Sequence, residues 1–226
     1  MTKISKRLWT AAELVREGAT VADVGTDHAY LPIYLCESGR AVGGVASDIN
    51  RGPLERAEWN IRAAALSDRL ATVLCDGLSA LEPYAPTDIL ILGMGGELIA
   101  RILGDAPWIQ KEGIRLILQP MTHPEEVRGF LGSHGFSILE ERIVEEDKLY
   151  QIIAAEYTGE RTEYSEAERL LGRLNIERGG EELLALCERY LAVFAERKRG
   201  KETAGVDVSE ETGMIHALEK IKEEQK

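Results

Sequence analysis

One stretch, from Thr20 to Pro32, constrains this chain more than any other. It is a short apolar run that is followed by a single glycine and then by a segment with a proline near its start. This order predicts a strand, a tight turn and a helix. In an open α/β sheet, nucleotide-like ligands bind at such a turn, outside the carboxyl end of the first strand. Gly25 allows the sharp turn, and the helix start offers unpaired N–H groups to a ligand.

The glycine pattern of this turn limits which ligand it can hold. A dinucleotide fingerprint requires Gly-x-Gly-x-x-Gly, whereas Gly25 is the only glycine between positions 25 and 30. A pyrophosphate would also meet the carboxylate of Asp27 where it needs backbone N–H groups. The turn therefore argues against NAD(P). It favours a ligand with a cationic centre, such as the ammonium and sulfonium groups of S-adenosylmethionine (SAM).

Composition sets further bounds. The 226 residues allow one domain of ordinary size and a small appendage, and the net charge of −12 taken alone disfavours non-specific nucleic-acid binding. The three cysteines have no metal-binding spacing, so we expect no metal, and free thiols suit a reducing cytoplasm. We find no signal peptide and no apolar run of membrane-spanning length, so we expect a cytoplasmic protein that does not enter a membrane.

Residues 1–157 alternate between predicted strands and helices. An amphipathic helix over 5–17 precedes five strand–helix repeats, and a hairpin follows them. The pattern predicts a doubly wound, Rossmann-like sheet that is parallel except for its last strand. The basic residues of the second repeat helix (Arg51, Arg56, Arg62 and Arg69) are mixed with acids and are interpreted as a solvated face. The predicted strands cover 20–24, 42–47, 70–75, 88–92, 115–119, 136–145 and 149–157.

Residues 158–226 have a different pattern and are predicted to form a second domain. Ser165 and Glu168 form a capping-box sequence, and apolar residues then recur at helical spacing with a weak point at Gly179-Gly180. A second amphipathic helix fits 209–225. We predict an antiparallel, coiled-coil-like helical hairpin whose polar turn covers 200–208. The basic segment 197–201 at that turn either complements the helix dipole or contacts an RNA backbone.

Acidic and glycine residues follow the predicted strands. Asp48 lies 23 residues after Gly25, the spacing at which an acid accepts hydrogen bonds from ribose hydroxyls. Asp76 is placed to accept a hydrogen bond from an adenine amino group, and Gly77 leaves space for the ring. The run Gly93-Met94-Gly95-Gly96 follows the fourth strand and predicts close approach of the backbone to a flat ligand or a reacting base.

Together these segments resemble the bacterial tRNA (adenine-22-N1)-methyltransferases. The resemblance covers nearly the whole chain and rests on Arg7-Leu8, the run Asp23 to Pro32, Ala46-Ser47-Asp48-Ile49, Gly52-Pro53-Leu54 and Gly93-Met94-Gly95-Gly96. It implies a Rossmann-like SAM-dependent methyltransferase domain followed by a helical coiled-coil domain, with tRNA as the partner. Unlike many amino-methylating enzymes, the chain has Gly-Met-Gly-Gly in place of an Asn/Asp-Pro-Pro-Tyr motif.

The resemblance implies roles for individual residues. Methyl transfer to adenine N1 requires no base before attack, because N1 has a free lone pair, and the product base is cationic. Asp27 is the candidate for stabilising that charge, and His28 for orienting the base or accepting a proton; His28 could instead cap a helix or pack in the core. The candidate cofactor contacts are Asp23, Gly25, Asp27, Asp48, Ile49, Asp76, Gly77, Gly93 and Met94. The candidate substrate contacts are Arg7, Tyr30, Gly95 and Gly96.

Other functions stay open at this point. The chain could methylate a small molecule or a protein, or it could be a SAM-binding interaction module without catalysis. An NAD(P)-linked oxidoreductase is disfavoured by the missing glycines. We expect a monomer or a weak dimer.

Overall fold

The computed structural model describes residues 1–225. Its centre is one seven-stranded sheet in the order β3-β2-β1-β4-β5-β7-β6. All strand pairings from β3 to β5 are parallel, and β7 is antiparallel to both of its neighbours, as predicted. The strands are β1 (Ala19–Val24), β2 (Ala41–Asp48), β3 (Leu70–Leu74), β4 (Asp88–Gly95), β5 (Arg115–Thr122), β6 (Phe136–Glu145) and β7 (Leu149–Tyr157).

Helices cover both faces of this sheet, which confirms the doubly wound fold. One core cluster joins the first three helices to one face, and a second cluster joins the next two helices to the other. Strand order reverses between β1 and β4, so the ligand-binding crevice of such a sheet lies at the carboxyl ends of these two strands. The five helices are α1 (Lys6–Leu14), α2 (Tyr30–Glu37), α3 (Arg51–Ala63), α4 (Gly96–Gly104) and α5 (Pro124–Ser133).

The start of α5 differs from the sequence prediction. Thr122 and Glu125 resemble a capping box, but Thr122 is still paired with Gly95 in the sheet and cannot cap the helix. His123 occupies the cap position with a φ of 52°, and its side chain makes no capping hydrogen bond. The helix instead begins at Pro124, because proline fits the first helical position.

Between residues 158 and 225 the chain forms four helices: α6 (Glu166–Leu171), α7 (Arg173–Arg178), α8 (Glu181–Thr203) and α9 (Ser209–Glu224). The Ser165 capping box is confirmed. The predicted first helix is broken at Gly172 as well as at Gly179-Gly180, all with positive φ. Helices α8 and α9 form the predicted hairpin around an apolar cluster that they share with α6. Because α8 runs through Thr203, the predicted turn over 200–208 was too long.

A buried polar network fixes α6 to the sheet. The Arg128 side chain is fully buried and donates to Glu141 at 2.6 Å, to Gln151 at 2.8 Å, and to the main-chain oxygens of Arg169 and Leu170. Removing one partner of a buried ion pair is strongly destabilising. This network crosses the predicted boundary between 157 and 158, and Ile143 and Leu149 pack against the apolar cluster of the C-terminal helices. The division into two domains at this point stays a prediction.

No helix within residues 1–225 is long and apolar enough to cross a membrane.

Candidate functional site

The turn after β1 and the end of β4 meet at the point where strand order reverses. Gly25 has a φ of 76°, and the N–H groups of Gly25 and Thr26 both donate to the Ser47 carbonyl oxygen at 2.8 Å. A Cβ atom on Gly25 would collide with the Met94 methyl group. The two glycine-containing motifs are thus brought into direct contact, and their backbones line the crevice that the fold leaves for a ligand.

Asp23 lies inside β1 next to this turn and is 9% exposed. Burial raises the pKa of its carboxyl group to about 6, and a hydrogen bond with Thr26 offsets part of this increase. The Thr26 hydroxyl also accepts from the Ala29 N–H at 3.0 Å. Asp23 is therefore tied to the loop through Thr26, and its carboxylate is poorly solvated beside the β1 turn.

Asp27 and His28 lie in the turn itself, where a third residue joins them. The Asp27 carboxylate forms an ion pair with Arg56 from α3 and lies 3.1 Å from His28 Nε2. The Arg56 hydrogen bond holds the pKa of Asp27 below its ordinary value. Arg56 is half-exposed, in keeping with a solvated face, but its pairing with Asp27 was missed, because a sequence pattern cannot reveal that α3 passes beside the β1 turn.

The rings of His28 and Tyr30 stack, with centroids 4.9 Å apart and planes inclined by 12°. Tyr30 is 44% exposed, and Asn60 donates to the His28 carbonyl oxygen at 2.9 Å. His28 is therefore neither a core residue nor a helix cap. The stacked pair presents a flat, partly exposed surface next to Asp27.

The acids at the ends of β2 and β3 lie on the same edge. Asp48 Oδ1 accepts from the Asn50 N–H at 2.7 Å, whereas Oδ2 has no protein partner within residues 1–225. Ile49 follows and is 60% exposed. Asp76 lies 3.5 Å from Arg101 of α4. Gly77 has a φ of 53°, and a Cβ atom added there would lie 3.0 Å from Ile102 Cγ2 of the same helix. A ribose and an adenine ring would thus find an accepting oxygen and an exposed apolar side chain at this edge.

The run from Gly93 to Gly96 has two structural roles. The register of β4 to β5 is irregular around Met94, near the end of the strand, and Gly93 is exposed with a φ of 80°. Gly96 begins α4, and a Cβ atom there would collide with the His123 carbonyl oxygen. Close packing against the β5–α5 turn therefore suffices to require glycine at 96. Contact of Gly95 and Gly96 with a substrate stays a prediction.

Arg7 reaches the same edge from α1, as the sequence argument predicted. Its guanidinium donates to Gln119 Oε1 and lies 5.2 Å from the centroid of the Tyr150 ring. A Cβ atom added to Gly93 would lie 3.9 Å from Arg7 Nη1, so the guanidinium is adjacent to Gly93. Gln119 is fully buried and was missed from the sequence, since an isolated glutamine in an apolar strand carries no pattern.

A cavity of about 230 Å³ lies between α8 and the carboxyl end of β5. The cavity walls combine the segment 120–125, the start of β7 and one side of α8. The hairpin therefore borders the strand next to β4.

Within residues 1–225, no group of three or more histidine, cysteine or acidic side chains is arranged to hold a metal ion. The three cysteine thiols are free.

Comparisons with known proteins agree with this arrangement. Residues 4–153 match the family model of a methyltransferase domain. The Bacillus subtilis tRNA (adenine(22)-N(1))-methyltransferase is 40% identical over 157 residues, which are 68% of this chain and 65% of that protein. The aligned part is thus slightly less than two thirds of that relative's length.

Two solved structures have the same fold over nearly their full length. The B. subtilis m1A22 tRNA methyltransferase TrmK has a TM-score of 0.85 at 30% identity, with 99% of this chain and 97% of that one covered. A Streptococcus pneumoniae protein, assigned provisionally as a tRNA (m1A22) methyltransferase and solved in complex with S-adenosyl-L-methionine, has a TM-score of 0.87 at 31% identity. That match covers 97% of this chain and 100% of the other.

Proposed function

This chain belongs to the family of the bacterial tRNA (adenine-22-N1)-methyltransferases, and on that premise we propose that it transfers a methyl group from SAM to N1 of adenine 22 in tRNA. The observation that carries the proposal is the convergence of Gly25, Met94, Asp48 and Asp76 on one edge of the sheet. We further propose that it acts in the cytoplasm, where free thiols persist.

The residues at this edge fit SAM. Asp48 Oδ2 is available to accept from ribose hydroxyls, and exposed Ile49 offers an apolar surface for the adenine ring. The buried acid Asp23 and the ionised Asp27 provide negative charge near the turn, which suits a cationic ligand. When bound, SAM supplies a methyl group on a positively charged sulfur.

The chain's own residues would act mainly by position and charge. Adenine N1 needs no deprotonation, so the site must hold the base in line and stabilise the positive charge that it acquires. Asp27 is held by Arg56 and is suited to this task, together with the carbonyl oxygens of Gly93 and Met94. The stacked His28–Tyr30 pair offers a face on which the base can lie.

The substrate would approach along the same edge. We assign Arg7 to a tRNA phosphate beside the target base, because its guanidinium lies next to Gly93. We assign the helical region 158–226 to tRNA docking. A truncation after Tyr157 would leave Arg128 without the Arg169 and Leu170 carbonyl oxygens, so point variants test this region better than deletion does.

The test is a methylation assay with labelled SAM and unmodified tRNA, followed by mapping of the modified base. We expect label at N1 of adenine 22 and none in a transcript with guanine at that position. Label at another base would change the substrate assignment. SAM binding in calorimetry without label in any tRNA would favour a different substrate or a non-catalytic SAM-binding module.

A further inference from the structure

The cavity between α8 and β5 is lined by side chains to which the proposed methyl transfer assigns no role. Its apolar walls come from Met121, Leu149, Leu170, Val193 and Phe194. Two arginines of α8, Arg189 and Arg197, also line the cavity, together with Tyr190. Apolar walls with two cations suit a ligand that is flat on one part and anionic on another.

Both arginines keep donors free for such a ligand. The Arg197 guanidinium lies 5.3 Å from the Phe194 ring centroid and makes no hydrogen bond or ion pair within residues 1–225. Arg189 uses Nη1 to donate to the Leu149 carbonyl oxygen at 3.1 Å and lies 6.0 Å from the Tyr190 ring centroid. A guanidinium placed beside an aromatic ring keeps its planar fork of donors for a phosphate.

The cavity contains one acid, Glu125. Its Oε1 atom lies 3.0 Å from His123 Nδ1, so this carboxylate already has a partner. The other basic residues of the segment 197–201 differ from Arg197 in position. Lys201 is paired with Glu210 and Glu211 and does not line the cavity. Lys198 and Arg199 do not line it either, so Arg197 is the member of this segment that borders the cavity.

The cavity lies close to the position proposed for the reacting base. Gly95 at the end of β4 pairs with Thr122 of β5, and the cavity lies against residues 120–125. Neighbouring strands are about 4.8 Å apart, so the cavity is one strand away from the glycine run. Enzymes that modify a base hidden by pairing or stacking extrude it, and they also contact the flanking nucleotides.

We infer that this cavity holds a nucleotide flanking the target adenosine, with its base against the apolar wall and its phosphate between Arg189 and Arg197. The inference rests on the proposed function, since it requires tRNA as the substrate. It assigns to one face of α8 a contact with the RNA strand next to the reacting base.

Single substitutions of exposed residues test this inference. Arg197→Ala and Arg189→Ala should each raise the KM for tRNA about tenfold and reduce the log–log salt slope of tRNA binding by about one unit. Arg199→Ala is the matched control, because this arginine is exposed on the same helix and does not line the cavity. All three variants should bind SAM like the wild type. Val193→Trp keeps both charges but fills the cavity, so it should raise the KM without changing the salt slope.

The outcomes separate the two proposals. If the wild type methylates adenine 22 and the Arg189 and Arg197 variants keep its KM and salt slope, the cavity inference is overturned and the proposed function stands. Equal effects of Arg197→Ala and Arg199→Ala would also overturn it, in favour of a diffuse basic surface. A wild type that methylates no tRNA would overturn both.

Discussion

The methyl group of Met94 occupies the space that a Cβ atom on Gly25 would need. Gly25 directly follows the first strand and Met94 is the second-last residue of the fourth, so 68 residues of chain separate them, yet β1 and β4 are hydrogen-bonded neighbours. The contact lies where strand order reverses, which is the ligand-binding position of this fold. The geometry of the SAM site therefore depends on two motifs at once.

We predict that Gly25→Ala weakens SAM binding. The substitution places a side chain at a φ of 76°, which costs about 1 kcal/mol, and it displaces the Met94 side chain within the site. Calorimetry of Gly25→Ala, Met94→Ala and the double variant measures the coupling between the two positions. We expect the double variant to lose less affinity than the sum of the single losses. Strict additivity would show that the contact does not matter for binding.

We predict that Asp48→Ala weakens SAM binding by about 1–3 kcal/mol, because hydrogen bonds from the ribose hydroxyls to a carboxylate are lost. Titration calorimetry gives the value, and circular dichroism checks the fold. Asp68→Ala is the control, since Asp68 is an exposed acid of the same domain. Unchanged SAM affinity in Asp48→Ala would remove this residue from the site.

We predict that Asp27→Asn lowers kcat by roughly 10- to 100-fold, because the carboxylate no longer offsets the charge that develops on the base. Arg56→Ala should lower kcat by a smaller factor, since Asp27 remains but is no longer fixed. The salt dependence of tRNA binding should be unchanged in both variants. A reduced salt slope with normal kcat in Arg56→Ala would instead identify Arg56 as a phosphate contact.

We predict that Arg7→Ala raises the KM for tRNA and reduces the salt slope of tRNA binding by about one unit, as expected for one lost phosphate contact. SAM affinity should be unaffected, whereas the free energy of unfolding should fall by about 1–3 kcal/mol, because buried Gln119 Oε1 loses its hydrogen-bond donor. Lys3→Ala is the control, because Lys3 is an exposed cation close to Arg7 in the chain. Arg7 would be only a surface charge if both the salt slope and kcat/KM stayed at their wild-type values.

We predict a pH-dependent effect of Asp23 on stability. Its pKa is about 6 in the folded chain and 3.8 ordinarily, so folding favours the protonated form. This contribution is fully present below about pH 3.8 and is lost as the pH rises through about 6, with a total of roughly 3 kcal/mol. Asp23→Asn removes the ionisation, so its stability relative to the wild type should increase between pH 4 and pH 7.

Urea unfolding at several pH values measures this difference. Glu112→Gln serves as the control, because Glu112 is an exposed acid whose removal should leave the wild-type pH dependence intact. A difference between Asp23→Asn and the wild type that did not vary with pH would contradict the buried, high-pKa state of Asp23.

Sequence and structure agree most closely where a pattern is local. The 20–24 and 149–157 strands, the Ser165 cap and the hairpin of α8 and α9 follow from apolar periodicity and capping chemistry, which depend on neighbouring residues. The position of Asp48 at the ligand edge could be predicted from its spacing to Gly25, because consecutive parallel strands end at the same edge. Its contact with the ribose stays a prediction. The argument against NAD(P) from Asp27 was weaker, since Arg56 compensates that charge.

The sequence by itself determined the order of elements, the Rossmann-like sheet and the position of the ligand edge, because a period of two or 3.6 residues and a glycine turn are properties of adjacent residues. Only the tertiary structure decided that Arg56 pairs with Asp27, that Gln119 holds Arg7, and that α8 lies against the end of β5. Each of these contacts joins segments that are 29 or more residues apart, and their proximity results from packing around the sheet.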